Sequence, residues 1–409
     1  MNASTEEYPG SAAKGIDIVV IGLAPWYMDI GATCKSIAEE FSRFHRVLYV
    51  NMPLDRKTIL GEKNDPNIRK HLDIIRNKKE DITEVKPNLW VYYPRRILES
   101  INWIPSTALF SVFNRVNNRR FAMDIKEAAE RMGFKDYIVF NDNDIFRPFY
   151  LKEILHPKLY IYLSRDNIVG VDYWKRHGLT LEPKHIAKAD IAVANSHYLE
   201  KYLRSYNPNT YFIETGCDLS LFDPAKGYAR PADMKDLSGP VIGYMGALNS
   251  LRIDESIIKQ IARSRPDWNV VLVGPEDDFF SKSELHQYPN VHFLGKKPMS
   301  QLPAYAAHFD VCINPQLVNI ITIGNYPLKV DEYLAMGKPV VATHTDAMLL
   351  FGDMVYLADK PEDYPALIEK ALKADNDILR KDRFAMAKAH TWENTVKKIH
   401  KAITKTLSL

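Results

Sequence analysis

The sequence predicts an α/β protein of two domains, each a doubly wound parallel sheet with helices on both faces. Three observations lead to this prediction. A chain of 409 residues is too long to form one hydrophobic core. Short β-branched runs such as residues 16–23 alternate with segments of helical spacing, as in buried parallel strands. The same alternation starts again at Val241, after a stretch without periodic pattern.

Composition limits the classes of function. Hydrophobic residues make up 46% of the chain and charged residues 26%, which is ordinary for a soluble globular protein. A net charge of +3 gives no support for a nucleic-acid partner. The three cysteines are far apart and lack metal-ligand spacing, so free thiols in a reducing compartment are expected. Residues 1–15 do not resemble a signal peptide, and we expect a cytoplasmic protein, either free or peripheral on the inner membrane face.

The first half opens with a strand at 16–23, a helix at 32–44 and a second strand at 45–50. The loop between the first strand and the helix lacks the G-x-G-x-x-G spacing of a dinucleotide site. It holds Asp29 and Gly31, where open α/β sheets bind ligands. Residues 52–88 are charged and weakly periodic, and we expect a mobile surface excursion with at most one helix.

Two later strands of this half end in acidic residues. Asp142 follows the strand at 137–140, and Asp166 follows the strand at 159–163. Carboxylates at strand ends can bind sugar hydroxyls, act as a base or hold a divalent metal. Asp and Asn also initiate turns by bonding to their own backbone, so a turn remains an equal alternative.

Residues 95–120 interleave arginines with large apolar side chains. This pattern suits interfacial attachment to anionic lipid or a site for a lipid-linked substrate. It also suits an amphipathic helix that packs on the sheet with its arginines in water.

The most informative stretch runs from Ile313 to Thr343 and is predicted as strand, polar loop, short helix and strand. Pro327 fits the first helical position, and Gly337 fits the left-handed position after the helix. Lys329 and Glu332 are three residues apart and share a face of this helix, near its unpaired backbone N–H groups. The arrangement favours an anion site with a carboxylate one turn deeper; a solvated Lys–Glu pair is the alternative.

Several motifs together resemble those of the GT-B glycosyltransferases. They are the linker at 216–222, Gly243-Tyr244-Met245-Gly246, Val273-Gly274-Pro275, and above all the block from Pro327-Leu328-Lys329 through Glu332-Tyr333-Leu334-Ala335-Met336-Gly337-Lys338-Pro339. The resemblance covers nearly the whole chain and is strongest to the branch related to family four, which builds bacterial polysaccharides and cell-wall glycans. It implies two Rossmann-like domains that face a cleft, at residues 1–222 and 223–390, followed by an amphipathic helix at 391–409 that packs back on the first domain.

The resemblance also implies roles for residues. A nucleotide-sugar donor would be held by the second domain, and a glycan or lipid-linked acceptor by the first domain, around Asp29 and Gly31. Glu332 corresponds to the glutamate that binds the ribose, while Lys329 and Arg252 would neutralise the diphosphate. The family's other glutamate falls at Gly324, so Asn325 or Thr322 would take its contact to the sugar. The full set of expected donor-binding residues is Gly246, Arg252, Gly274, Pro275, Thr322, Asn325, Tyr326, Pro327, Leu328, Lys329 and Glu332.

The predicted function is therefore transfer of a sugar from a nucleotide diphosphate to an acceptor, with retention of the anomeric configuration. Asp142 or Asp166 would orient or deprotonate the acceptor, and neither a metal nor another cofactor is required. Two alternatives stay open. The missing glutamate at Gly324 allows a catalytically silent nucleotide-sugar-binding subunit. A sugar-nucleotide epimerase of the same fold fits less well, because residues 322–327 contain no arginine.

Overall fold

The computed structural model describes residues 15–28 and 32–408. The described chain contains two sheets, of eight and six strands, with helices between most consecutive strands. The two sheets confirm the predicted fold class of two Rossmann-like α/β domains.

The chain divides into two compact units. The first runs to Ile213 and also includes the segment from Thr395, whereas the second comprises Glu214–Asn394. The sequence analysis places these divisions after residues 222 and 390. The first boundary lies earlier than predicted because the linker is bonded to the second unit. The N–H of Cys217 donates to the carbonyl oxygen of His390 at 2.9 Å.

The sheet of the first unit has the strand order β3-β4-β2-β1-β5-β6-β7-β8. All neighbouring strands are parallel except β3 and β4. The order reverses between β1 and β5, which is the switch point where ligands bind in such sheets. The strands are β1 (Ile18–Ile21), β2 (Val47–Val50), β3 (Ile82–Lys86), β4 (Leu89–Tyr92), β5 (Ile138–Asp142), β6 (Leu159–Ser164), β7 (Ile191–Ala194) and β8 (Thr210–Phe212).

Helices cover this sheet and connect its strands. The expectation of a single helix at 52–88 is wrong, because this region contains two helices and strand β3. Asp55 and Asp65 cap the two helices by accepting hydrogen bonds from backbone N–H groups in their first turns. The helices are α1 (Thr33–Ser42), α2 (Arg56–Gly61), α3 (Pro66–Asn77), α4 (Thr107–Arg131), α5 (Leu151–Leu155), α6 (Asp172–Lys188) and α7 (His197–Arg204).

The sheet of the second unit is parallel throughout, in the order β11-β10-β9-β12-β13-β14. Its switch point lies between β9 and β12. The strands are β9 (Val241–Met245), β10 (Asn269–Val273), β11 (Val291–Gly295), β12 (Val311–Asn314), β13 (Val340–Thr343) and β14 (Val355–Ala358). The helices are α8 (Glu255–Ser264), α9 (Leu302–Ala307), α10 (Leu328–Ala335), α11 (Tyr364–Ala374) and α12 (Asp377–Ala389).

The last helix, α13 (Trp392–Leu407), belongs to the first unit from Thr395 onward. Its apolar face is buried, and His400 Nε2 lies 2.9 Å from His45 Nε2. Burial and the neighbouring His45 lower the pKa of His400 to about 3, so this contact joins two neutral rings. Among the described residues, no helix is long and apolar enough to cross a bilayer.

Candidate functional site

The carboxyl ends of β9 and β10 approach each other at the switch point of the second sheet. Gly246 follows β9 with φ of 139°, and its N–H donates to the Val273 carbonyl oxygen at 2.9 Å. A Cβ atom on Gly274 would lie 1.9 Å from the Gly246 carbonyl oxygen. Only glycine fits at Gly274, because two backbone segments touch there. The N–H of Leu248 donates to the Pro275 carbonyl oxygen at 2.8 Å and fixes the next part of the loop.

Helix α10 begins at the same edge of the sheet. It starts at Leu328, so Pro327 is its N-cap residue and lies one position before the predicted first helical position. Gly337 has φ of 69°, the predicted left-handed conformation after the helix. The Tyr333 hydroxyl oxygen accepts a hydrogen bond from the Met245 N–H at 2.7 Å. This bond fixes α10 against the end of β9.

Lys329, in the first turn of α10, reaches the glycine loop. Its Nζ atom donates to the Tyr244 hydroxyl at 3.0 Å and lies 4.7 Å from the centre of the Tyr244 ring. A Cβ atom on Gly246 would be only 3.3 Å from Nζ. Within the part of the chain that the structure describes, the Lys329 ammonium has no carboxylate partner. The structure thus brings Gly246, Gly274 and a cation together at one strand edge, where an anion can be bound.

Glu332 lies one turn deeper on the same helix. Burial raises the pKa of its carboxyl to about 8, although the positive charge of Lys329 opposes this shift. No hydrogen bond or ion pair from another described residue reaches the Glu332 carboxylate. A buried carboxylate without a protein donor can accept hydrogen bonds from the hydroxyl groups of a ligand. Such bonds would stabilise the charged carboxylate, which burial disfavours.

The other expected donor-binding residues lie on two loops that are bonded together. Arg252 is exposed, and its carbonyl oxygen accepts a hydrogen bond from the Leu317 N–H at 2.8 Å. Thr322 is buried, and its hydroxyl donates to the Leu317 carbonyl oxygen at 2.5 Å. This hydroxyl is therefore occupied within the loop. Asn325 is only partly buried.

A buried hydrogen-bond network at α10 is not indicated by any sequence pattern. The Tyr326 hydroxyl donates to Asp331 Oδ2 at 2.7 Å, and His390 Nδ1 lies 2.8 Å from Asp331 Oδ1. Burial raises the pKa of Asp331, while His390 and Tyr326 oppose that shift. His390 is about sixty residues further along the chain, so spacing could not have linked it to α10. The network fixes the segment that leads into α10 and uses the Tyr326 side chain for structure.

In the first unit, the two predicted acids share one partner. Arg165 Nε donates to Asp142 Oδ1 at 2.8 Å, and Arg165 Nη1 donates to Asp166 Oδ2 at 2.7 Å. Burial by itself would lower the pKa of Arg165. The negative charges of Asp142 and Asp166 have the larger effect, so the pKa of Arg165 is raised. Asp142 is fully buried and Asp166 is about one quarter exposed. Asp166 alone therefore presents a carboxylate edge to solvent.

A cavity of about 820 Å³ opens near this strand edge in the first unit. Leu23, which follows β1, lines it and donates its N–H to Asp142 Oδ2 at 3.4 Å. Aromatic and polar side chains line the cavity together, among them Phe146, Trp174, Tyr173, Trp103, Asn114, Asn117 and Arg147. Flat apolar rings beside amide groups are suited to sugars and to other amphiphilic ligands. Part of the wall, at residues 98–117, lies in the segment for which a site for a lipid-linked substrate was one prediction, whereas the walls at 52–62 and 146–174 were not predicted.

Two sequence predictions cannot be placed. Asp29 and Gly31, the expected acceptor-binding residues, lie outside the described residues.

Among residues 15–28 and 32–408, no group of three or more His, Cys, Asp or Glu side chains is arranged to hold a metal ion.

Comparisons with known proteins bear on these features. Residues 239–377 match the family described as Glycosyl transferases group 1. A relative from Bacillus subtilis (strain 168), described as "Putative teichuronic acid biosynthesis glycosyltransferase TuaH", is 30% identical over 249 residues, which cover 58% of this chain and 62% of that protein. The match thus spans less than two thirds of the length of that relative.

Solved structures share the fold at low identity. Sucrose-phosphate synthase from Thermosynechococcus elongatus has a TM-score of 0.68 and 17% identity, with 96% of this chain and 99% of that chain covered. Anabaena HepE, solved in complex with UDP and glucose, has a TM-score of 0.62 and 16% identity, with 96% of this chain and 99% of that chain covered. The predicted resemblance is confirmed: the chain has the GT-B fold of glycosyltransferases, and residues 239–377 in its second unit match the group 1 family of glycosyl transferases.

Proposed function

We propose that the chain transfers a hexosyl group from a nucleotide-diphosphate sugar to a glycan or lipid-linked acceptor, with retention of configuration. The observation that carries this proposal is the position of Lys329. Its ammonium lies beside the Gly246 loop at a topological switch point, without a carboxylate partner in the described chain. A diphosphate at this edge would receive its charge and the N–H groups at the start of α10.

The chemistry follows from this placement. When the bond between the anomeric carbon and the diphosphate oxygen breaks, negative charge grows on the leaving diphosphate. Lys329, with Arg252 on the neighbouring loop, would stabilise that charge more in the transition state than in the ground state. Glu332 would accept hydrogen bonds from the ribose hydroxyls. The proposal assigns no role to a metal ion or other cofactor.

The acceptor is assigned to the first unit. Asp166, with its partly exposed carboxylate, would orient or deprotonate the acceptor hydroxyl, whereas Asp142 would hold Arg165 in place. The cavity lined by Trp174 and Phe146 would receive the acceptor. A lipid-linked acceptor would require peripheral contact of the chain with a membrane surface.

A second candidate is a catalytically silent nucleotide-sugar-binding subunit. It is favoured by Gly324, which stands where a sugar-binding glutamate is expected. A panel of nucleotide sugars that begins with UDP-glucose, named in the HepE complexes, tests both candidates. Release of nucleotide in the presence of glycan acceptors supports transfer. Binding of a donor without turnover across the panel supports the silent subunit, and failure to bind any nucleotide sugar contradicts both.

A further inference from the structure

Helix α4 has an apolar face that the described chain leaves in solvent. Its opposite face is buried, and there Phe110 stacks on His177 of α6 with ring centroids 4.0 Å apart. The exposed apolar side chains follow helical spacing along one side, and each is between 43% and 63% exposed: Leu109, Val112, Phe113, Val116 and Met123. Five large apolar side chains on one side of a helix exceed the scattered exposure normal for a soluble surface.

This side continues onto α6 and the preceding loop. Trp103 is 74% exposed, Tyr173 57% and Leu179 59%. The Nδ2 group of Asn102 donates to the Tyr173 carbonyl oxygen at 2.7 Å, which joins the loop to α6. We call these eight residues the α4–α6 face: Trp103, Leu109, Val112, Phe113, Val116, Met123, Tyr173 and Leu179.

Cations outnumber acids around the α4–α6 face, where the exposed Asp172 beside Tyr173 is the acidic neighbour on α6. Residues 100–123 include three arginines and no acidic residue. Arg115 lies over the Tyr150 ring at 5.1 Å, and neither Arg115 nor Arg119 has a carboxylate partner among the described residues. On α6, Arg176 donates to the Trp103 carbonyl oxygen at 3.2 Å and stands next to the exposed Lys175. Apolar side chains bordered by unpaired cations match the chemistry of an anionic bilayer surface.

The cavity of the first unit opens beside this face, since Trp103 and Tyr173 belong to both. We infer that the α4–α6 face docks on an anionic membrane, so that a lipid-linked acceptor enters the cavity from the bilayer. Its apolar side chains would insert among the lipid chains, and Arg115, Arg119 and Arg176 would contact phosphate head groups. The acceptor part of this inference rests on the proposed function, whereas membrane docking does not need a donor.

Flotation of the full-length chain with vesicles tests the docking. We expect binding to vesicles of phosphatidylglycerol and phosphatidylcholine in equal parts, and little binding to phosphatidylcholine alone. The R115Q/R119Q variant should bind the anionic vesicles about thirtyfold more weakly, because each cation near such a surface contributes roughly fivefold. V112S/F113S should bind about tenfold more weakly. Raised salt should weaken wild-type binding by screening.

Matched controls come from α12, where Ile378 is 73% exposed and Lys381 is also exposed. I378S and K381Q should bind vesicles as the wild type does, and thermal melting should show that every variant is folded. Equal binding to both vesicle types, absence of binding, or wild-type binding by both surface variants overturns the inference. Nucleotide release without acceptor is measured in parallel, so that failure of docking is distinguished from failure of the proposed function.

Discussion

The switch points of the two sheets share a topology but differ in their charges. At the first, between β1 and β5, the Asp142 and Asp166 carboxylates share the guanidinium of Arg165. At the second, between β9 and β12, Lys329 donates to the Tyr244 hydroxyl, and within the described chain neither Lys329 nor Glu332 forms an ion pair. The charged side chains of the first edge are therefore paired with each other, whereas the Lys329 ammonium of the second edge has no carboxylate partner among the described residues.

This difference separates structural polar residues from binding residues. A buried ion pair lowers the cost of burying each charge, and removal of one partner leaves the other uncompensated. A cation or carboxylate without a counter-charge keeps its desolvation cost until a ligand arrives. Substitution of the buried Asp142 should therefore change folding stability, and substitution of Lys329 should change binding.

The largest expected effect is at the first edge. Asp142→Ala should lower the free energy of unfolding by roughly 3–5 kcal/mol, because it leaves Arg165 partly buried without its main partner. Urea unfolding measures this loss. Asp166→Ala is the matched control and should cost about 1 kcal/mol, since Asp166 is partly solvated. If Asp142→Ala folds with wild-type stability but loses all transfer activity, the structural assignment of Asp142 is wrong.

At the second edge, Lys329→Ala should weaken nucleotide diphosphate binding by roughly 1.5–3 kcal/mol, the contribution of a hydrogen bond to a charged group. Isothermal calorimetry with UDP and the other nucleoside diphosphates measures it. Lys370→Ala is a suitable control, because Lys370 also lies over a tyrosine ring, 5.6 Å from that of Tyr356. Equal affinity of the Lys329 variant and the wild type would remove the phosphate role.

The expected effect at Glu332 depends on pH. Its pKa in the folded chain is about 8, above its ordinary 4.5, so the folded state holds a proton that the unfolded state loses between these values. Stability therefore falls as pH rises through this window. Glu332→Gln lacks this loss, so it should be more stable than the wild type at pH 8 and equal to it below pH 4. Denaturant titrations at both pH values measure this.

The same substitution should remove a pH dependence of binding. Wild-type affinity for a nucleoside diphosphate should rise as Glu332 ionises near pH 8, because ribose hydroxyls donate to the carboxylate. The Glu332→Gln variant should bind weakly with little change across this range. A variant that is less stable than the wild type at pH 8 would instead indicate a structural role for Glu332.

Much of the second edge was predictable because its signals are local. Pro327, Gly337 and Pro339 define a short helix through backbone preferences, and Lys329 and Glu332 share a face by spacing alone. The region at 52–88 was harder to predict: its hydrophobic periodicity is weak, and Asp55 and Asp65 act as helix caps that the sequence analysis did not recognise. Of the cavity near Trp103, residues 98–117 lie in a segment for which a substrate site was one prediction. Its other walls were missed because they come from segments far apart in the chain.

The sequence by itself determined the alternation of strands and helices, the glycines at strand ends and the face of α10 that carries Lys329 and Glu332. These depend on residues within one or two turns of each other. Only the tertiary structure decided which charges are paired. Arg165 meets Asp142 from 23 residues away, and Tyr244 meets Lys329 from 85 residues away. Such distances are closed by folding, so whether a polar residue is satisfied, and thus whether it serves structure or a ligand, is fixed by packing.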